Sequence, residues 1–409
     1  MALLAPFRAL RPTPEAAAHV AAVPYDVVTA EEAVALAAGN GLSFLRVSRA
    51  EIDLPSETNP YSDAVYRKAR ENFDALKKRA LIMEDAPSLY VYRLRTSAGA
   101  SGHEQTGVAG CFSLDQYERG AIKKHERTRP DKEDDRTRHM LELRAQTGPV
   151  FLTYKASDGI DAVVARVIAS RPPLFDFTAV DGVQHTIWRV EQHDEHDVIT
   201  AFDRVPALYI ADGHHRAASA ARARQTLRGS AGTAGEWDTF LAVAFPDNQM
   251  QILPYNRVVR DLRSFTPDSL LAALRERFIV TDGPARPVRR GAVAMFIAGR
   301  WYTILLGDAP ESAELADRLD VQRLQDMVLT PMLGIGDVRS DKRVDFVGGS
   351  RGTGELETLV NSGRAAVAFS LYPVSVGDLM EIADAGGIMP PKSTWFEPKL
   401  RDGLLSHVI

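Results

Sequence analysis

Between residues 207 and 228 the chain leaves little choice of fold. Ala207-Leu208-Tyr209-Ile210-Ala211 has the composition of a buried strand, Asp212-Gly213 breaks it, and the alanine-rich run from Arg216 to Arg228 favours a helix. A strand that passes straight into a helix points to an α/β architecture of packed layers, here with mixed α+β sheets. The turn carries His214, His215 and Arg216 directly after the acid and the glycine. In α/β proteins the loop beyond the carboxyl end of a strand, where helix N–H groups point outward, is the place for anionic ligands. There Gly213 lets the backbone approach a ligand, Arg216 offers a planar fork for phosphate oxygens, and the two histidines donate hydrogen bonds without permanent charge. Asp212 then holds Mg²⁺ or accepts a proton. The plainer alternative has Asp212 capping the helix and the histidines bonding to backbone.

At 409 residues the chain is too long for one hydrophobic core, so we expect a catalytic unit over residues 1–262 and a smaller α/β unit over 263–409. In the first, Thr29 reads as the N-cap of a helix from Ala30 to about Ala38, and Ser43 to Val47 as a strand. Tyr61 to Arg79 is an amphipathic helix closed by a basic turn, and Ser88 to Leu94 a strand. A loop from Ser97 to Gly107 precedes a strand over Val108 to Leu114, and further strands fall at Val150 to Tyr154, Gln184 to Val190 and Thr239 to Phe245. Gly159 to Ser170 is a helix, and Gly229 to Gly235 a flexible surface loop. The second unit contains a helix from Asp268 to Phe278, strands around Ala292 to Leu306 and helices after Glu311.

A second candidate lies in the densest polar segment, Lys123 to Arg136. Pro130 starts a helix whose positive N-terminus is complemented by Asp131, Glu133, Asp134 and Asp135. Such runs are usually solvated faces, but Lys123, His125 and Glu126 stand just before the helix, where a cation and a general base can face one site. Gly348 to Gly354 looks like a phosphate-cradling loop but lacks the Lys-Ser/Thr ending of a P-loop and reads as an ordinary loop. Met389 to Phe396 holds two prolines followed by Lys392, Ser393 and Thr394, either a packed tail or a site-lining loop. Cys111 reads as inert core, and His193 and His196, flanked by acids, do not form a metal site.

A balance of 49 basic against 54 acidic residues offers no global attraction to nucleic acid. One cysteine excludes an internal disulfide. No stretch approaches the ~18 apolar residues of a membrane span, and the first residues do not form a signal peptide. The expected location is cytoplasmic, and the expected partners are a small-molecule substrate and, as an option, a second copy of the chain.

Four segments together resemble a widespread bacterial and archaeal family known as domain of unknown function 1015. They are Val23 to Val28, His125 to Thr128 with Lys132 to Arg136, Ala211 to Arg216, and Met389 to Phe396 with Pro398 and Lys399. The Asp-Gly-His-His-Arg element is also similar to that of free L-serine kinases with a ParB/sulfiredoxin-like core, where it binds phosphate and takes part in transfer from a nucleotide. That resemblance implies metal or proton handling for Asp212 and phosphate binding for His214, His215 and Arg216. It leaves the donor open among ATP, ADP and pyrophosphate, with Mg²⁺. The kinases' N-terminal glutamate has no aligned counterpart here, and Glu126 replaces it on chemical grounds, with His125 beside it. The expected activity is phosphoryl transfer to a small hydroxylated metabolite, L-serine first. The alternatives are a ParB-like nucleotide switch and a metal-dependent hydrolase using Asp212, His214 and His215.

Overall fold

The strand that ends at Asp212 lies one place in from the edge of a large mixed sheet. A computed structural model describes residues 2–96 and 102–409. Its contacts divide the chain into two units, Met1–Met250 with Pro398–Ile409, and Gln251–Glu397. This division precedes the 262/263 boundary expected from the sequence, and the closing segment, expected in the second unit, belongs to the first.

The first unit's sheet contains, in chain order, β1 (Leu4–Ala5), β2 (Tyr90–Thr96), β3 (Glu104–Ser113), β4 (Ile122–Lys123), β5 (Val150–Tyr154), β6 (Phe175–Thr178), β7 (Val183–Arg189), β8 (Leu208–Asp212) and β9 (Thr239–Pro246). They lie in the order β4-β8-β5-β9-β3-β2-β7-β6, with β1 also paired to β3. The β8–β4 and β9–β5 pairs are parallel and the remaining pairs antiparallel, so the sheet is mixed and the fold is α/β as read. The described part of the expected Ser97 to Gly107 loop already joins β3 from Glu104; residues 97–101 lie outside the described residues.

Three helices position the site: α1 (Asp63–Arg79), α2 (Pro130–Leu143) and α3 (His214–Ala231). Ala217, Ala220, Ala223 and Leu227 of α3 are buried in one core with Leu152, Ile210, Phe240 and Ala242 of the sheet. Alanines on this face bring the helix axis close to the strands, so the first turn of α3 sits directly above the end of β8. The helix extends through Ala231, so the flexible loop expected from Gly229 begins only at Gly232. α2 starts at Pro130 with Asp131 and Glu133 in its first turn. It packs on α3, where Ser219 Oγ donates to the Glu133 carbonyl at 3.2 Å and Arg222 reaches Glu133 and Asp134. Part of the polar run is therefore a helix–helix contact.

The segment Ser43 to Val47, expected as a strand, contributes instead to a short helix, Leu45–Ser48. Phe44, Leu45 and Val47 are all buried beside Phe73 and Leu76 of α1. A strand there would need a ladder partner, whereas the helical turn satisfies itself, Ser48 N–H donating to the Phe44 carbonyl at 2.9 Å. Thr29 caps Ala30–Ala37 with a full capping box through Glu32, as its position suggested. Cys111 is buried in β3.

A four-stranded sheet of Leu81–Met83, Ala9–Pro12, Ser406–Val408 and Ala145–Gln146 incorporates the end of the chain into the first unit. The second unit has a six-stranded sheet, built around the Ala292–Ile297 and Arg300–Leu305 hairpin, and the helix Pro267–Arg277. Its Gly348-Gly349 pair makes room for packing: a Cβ at Gly348 would lie 2.7 Å from the Trp395 indole, and one at Gly349 2.6 Å from Leu253 Cβ. No helix among the described residues is long and apolar enough to cross a membrane.

Candidate functional site

The β8–β5 register shifts between Ile210 and Asp212, a bulge that turns the strand end just before the helix. Gly213 then takes φ of +93° as the N-cap of α3, with no side-chain cap on the first turn. Glycine is needed here on two counts, since a Cβ would lie 2.8 Å from Arg216 Nε and 3.0 Å from its Cζ. Arg216 folds back under Gly213, donating through Nη1 to the Pro149 carbonyl and through Nη2 to Asp212 Oδ2 at 3.4 Å. Lys399 Nζ meets the same Oδ2 at 3.2 Å, while Asp212 Oδ1 accepts the Gly213 N–H at 2.9 Å. Two cations thus converge on one carboxylate beside a helix N-terminus, where the first-turn N–H groups and the helix dipole favour anions.

The histidines hold the polar loop. His214 Nε2 accepts the His125 backbone N–H at 3.4 Å, and His215 Nε2 accepts that of Arg129 at 3.0 Å. Backbone bonding, the plainer alternative for these residues, is therefore present at both rings. Since Nε2 accepts, the neutral ring carries its proton on Nδ1, and His214 Nδ1 lies 3.9 Å from Glu126 Oε2. Burial, reinforced by His125, holds His214 well below the usual histidine range. Burial likewise pushes His125 down to about 4, against the Asp212 charge and a hydrogen bond to the Ile210 backbone. The two rings meet edge to face with centroids 4.4 Å apart, and His125 Nδ1 is buried without a hydrogen-bond partner among the described residues. Glu126 is half-buried, and Lys123, on β4, lies with Nζ 6.0 Å from the centre of the Tyr209 ring.

The Tyr25 segment of the sequence resemblance meets the tail beyond Lys399 close to Arg216. Ala22 and Asp402 exchange backbone hydrogen bonds at 3.2 and 2.9 Å, which fixes the Tyr25 segment against the C-terminal tail. The Arg136 guanidinium covers the Tyr25 ring at 4.1 Å, and both line a cavity of about 40 Å³ with Arg216, Gly148 and Asp402. Asp402 is 3% exposed, and burial raises its carboxyl to about 7. Neither Lys399 nor Asp402 stood out as a site residue in the sequence. The signal is a set of charged residues, Lys399, Arg401 and Asp402, alternating with leucines near the end of the chain.

A family model described as "Protein of unknown function (DUF1015)" matches residues 4–322. The chain belongs to the DUF1015 family. A comparison with curated proteins finds no match. Among solved structures, a free serine kinase in complex with AMP is similar at 13% identity and a TM-score of 0.36, over 72% of this chain and 92% of that one. A conserved hypothetical protein from Pyrococcus furiosus is similar at 13% identity and a TM-score of 0.35, covering 73% and 94% respectively. SbnI with a C-terminal truncation, from Staphylococcus aureus, is similar at 12% identity and a TM-score of 0.38, covering 72% and 85%.

In this DUF1015 chain the carboxylate of Asp212, where Mg²⁺ was expected, faces Lys399 and Arg216. The expected hydrolase set of Asp212, His214 and His215 does not form a ligand cluster among the described residues. Among the described residues the group with ligand atoms within 4.8 Å of one another is His125, Glu126 and His214. His193 contacts Glu191 and Asp194 and joins no such group among the described residues.

Lys392, Ser393 and Thr394 belong to the second unit. Lys392 adopts φ of +56°, and its carbonyl accepts from Arg257 Nη1 at 2.8 Å. Ser393 Oγ donates to the Pro390 carbonyl at 2.5 Å, closing the turn that leads through Thr394 into the strand Trp395–Glu397.

Proposed function

We propose that this protein transfers a phosphoryl group from ATP, ADP or pyrophosphate to the hydroxyl of a small metabolite, with L-serine the first acceptor to try. The observation that carries the reading is the seating of the His125 to Arg129 loop on the first turn of α3, which brings Glu126 to a helix N-terminus that also holds Arg216 and, through Asp212, Lys399. Phosphoryl transfer asks mainly for positioning and neutralisation of charge, which these groups supply.

The α3 N–H groups, with the positive charge of Lys399 and Arg216, face the donor phosphates. Asp212 fixes both cations rather than acting as base, because its charge is already countered. Glu126 takes the proton from the acceptor hydroxyl as that oxygen attacks phosphorus, and His214 Nδ1–H orients the carboxylate. The bridging P–O bond breaks, and ADP, AMP or phosphate departs with its electron pair. His125 closes the site as a neutral ring, and His215 anchors the loop. Mg²⁺ would accompany the donor phosphates and neutralise part of their charge.

The test is ³¹P NMR of the purified protein with Mg²⁺ and L-serine, with each donor in a separate tube. A phosphomonoester signal that requires serine is the expected result. Donor breakdown indifferent to serine, or none with any donor, contradicts the reading.

A further inference from the structure

The cavity lined by Tyr25, Arg136, Gly148, Arg216 and Asp402 shares Arg216 with the donor site but has a size and a buried carboxyl of its own. At about 40 Å³ it has room for about three water-sized groups, the polar end of a small metabolite rather than a nucleotide. Phe240, Leu241 and Val150 give it an apolar wall.

Asp402 is the unusual member. A Cβ on Gly148 would lie 2.6 Å from Asp402 Oδ1, so the glycine makes room for this carboxyl. The cations around it are bonded elsewhere. Arg136 donates to Asp135 and Ser48, Arg216 to Pro149 and Asp212, and Arg401 to His185 and Asp181. They act on Asp402 through space, together with the repelling Asp26, and burial outweighs them. A buried carboxyl in this position calls for a positive partner.

The wall offers positive charge as well. The guanidiniums of Arg136 and Arg216 line the same cavity as the Asp402 carboxyl, so both signs of charge face one small space. The guanidiniums match an anionic group, and an ionised Asp402 matches a cationic one. A ligand carrying both charges a few bonds apart satisfies both.

We propose that this cavity binds the head group of a small α-amino acid, with its ammonium against Asp402 and its carboxylate against the guanidinium edges of Arg136 and Arg216. As the site of the phosphoryl acceptor, the assignment rests on the transfer reading above; as an amino-acid site, it stands without it. Tyr25 and His139, also on the cavity wall, stay neutral near pH 7, since burial raises the tyrosine far out of range and holds the histidine down to about 4. Asp402 is then the described wall residue that titrates between pH 6 and 8.

Calorimetric titration of the full chain, without donor, tests the proposal with glycine, L-serine, glycolate and ethanolamine. The two amino acids bind, and glycolate and ethanolamine, each lacking one charge, bind at least about tenfold more weakly. Amino-acid affinity rises about tenfold from pH 6 to pH 8 as Asp402 ionises. Asp402→Asn loses the binding and its pH dependence while keeping a cooperative thermal transition. Should that variant fail to fold, the wild-type ligand and pH series still decides. Equal binding of glycolate, tighter binding at pH 6, or no binding of either amino acid overturns the proposal. Binding without transfer retires the phosphoryl-transfer reading alone; transfer to serine with a KM unmoved by Asp402→Asn retires the cavity alone.

Discussion

Gly213 and Asp402 show how much single residues decide here. Gly213→Ala places a methyl 2.8 Å from Arg216 Nε at a φ of +93°, so we expect a loss of about 1–3 kcal/mol in urea unfolding, with Arg216 displaced. An unchanged midpoint would show that the turn tolerates the methyl. Asp402 carries a pH signature of its own. Its folded carboxyl titrates near 7, above the unfolded value, so the folded state holds the extra proton. Stability from this group is fully present below about pH 4 and is lost as pH rises through 7. Asp402→Asn should therefore flatten the decline between about pH 4 and 7, which denaturation at several pH values measures; a variant that declines as steeply as wild type contradicts the assignment. The Asp-Gly-His-His-Arg motif was legible because its residues are adjacent. Asp402 was not, because an acid next to an arginine near the end of a chain resembles any solvated pair until burial is known.

At the scale of elements, the decisive contact joins the loop before α2 to the first turn of α3. His215→Ala removes the acceptor for the Arg129 N–H, at a cost of about 1 kcal/mol. Amide hydrogen exchange should show lost protection at Arg129 with α3 itself unchanged. Retained protection would mean that the loop holds its place without the imidazole. Most strands and long helices were legible locally, β8 from its apolar run, α1 from its amphipathic pattern and α2 from Pro130 and the acids that follow it. The segment at Ser43 misled because Phe44, Leu45 and Val47 suit a strand by composition, whereas their surroundings offer a helical core and no strand to pair with. The histidines stood out in the sequence as candidates but not as acceptors of loop N–H groups, since their partners lie more than eighty residues away in sequence.

At the scale of the molecule, the chain's end matters more than sequence order suggested. Pro398–Ile409 belongs to the first unit, where it buries Leu400, Leu404 and Leu405 and supplies Lys399 and Asp402. A chain ending at residue 397 should lose the cooperative unfolding of the first unit, as followed by calorimetry; an unaltered transition would show that the tail is dispensable. The return of the tail was not legible in the sequence, because no local pattern announces a long-range strand pair. In the proposed transfer Glu126 is the base beside the N-terminus of α3. The most direct measurement is the serine-dependent rate of phosphomonoester formation by Glu126→Gln against wild type. We expect kcat to fall by about 10²–10⁴ with donor binding retained, and a variant as fast as wild type would contradict the mechanism.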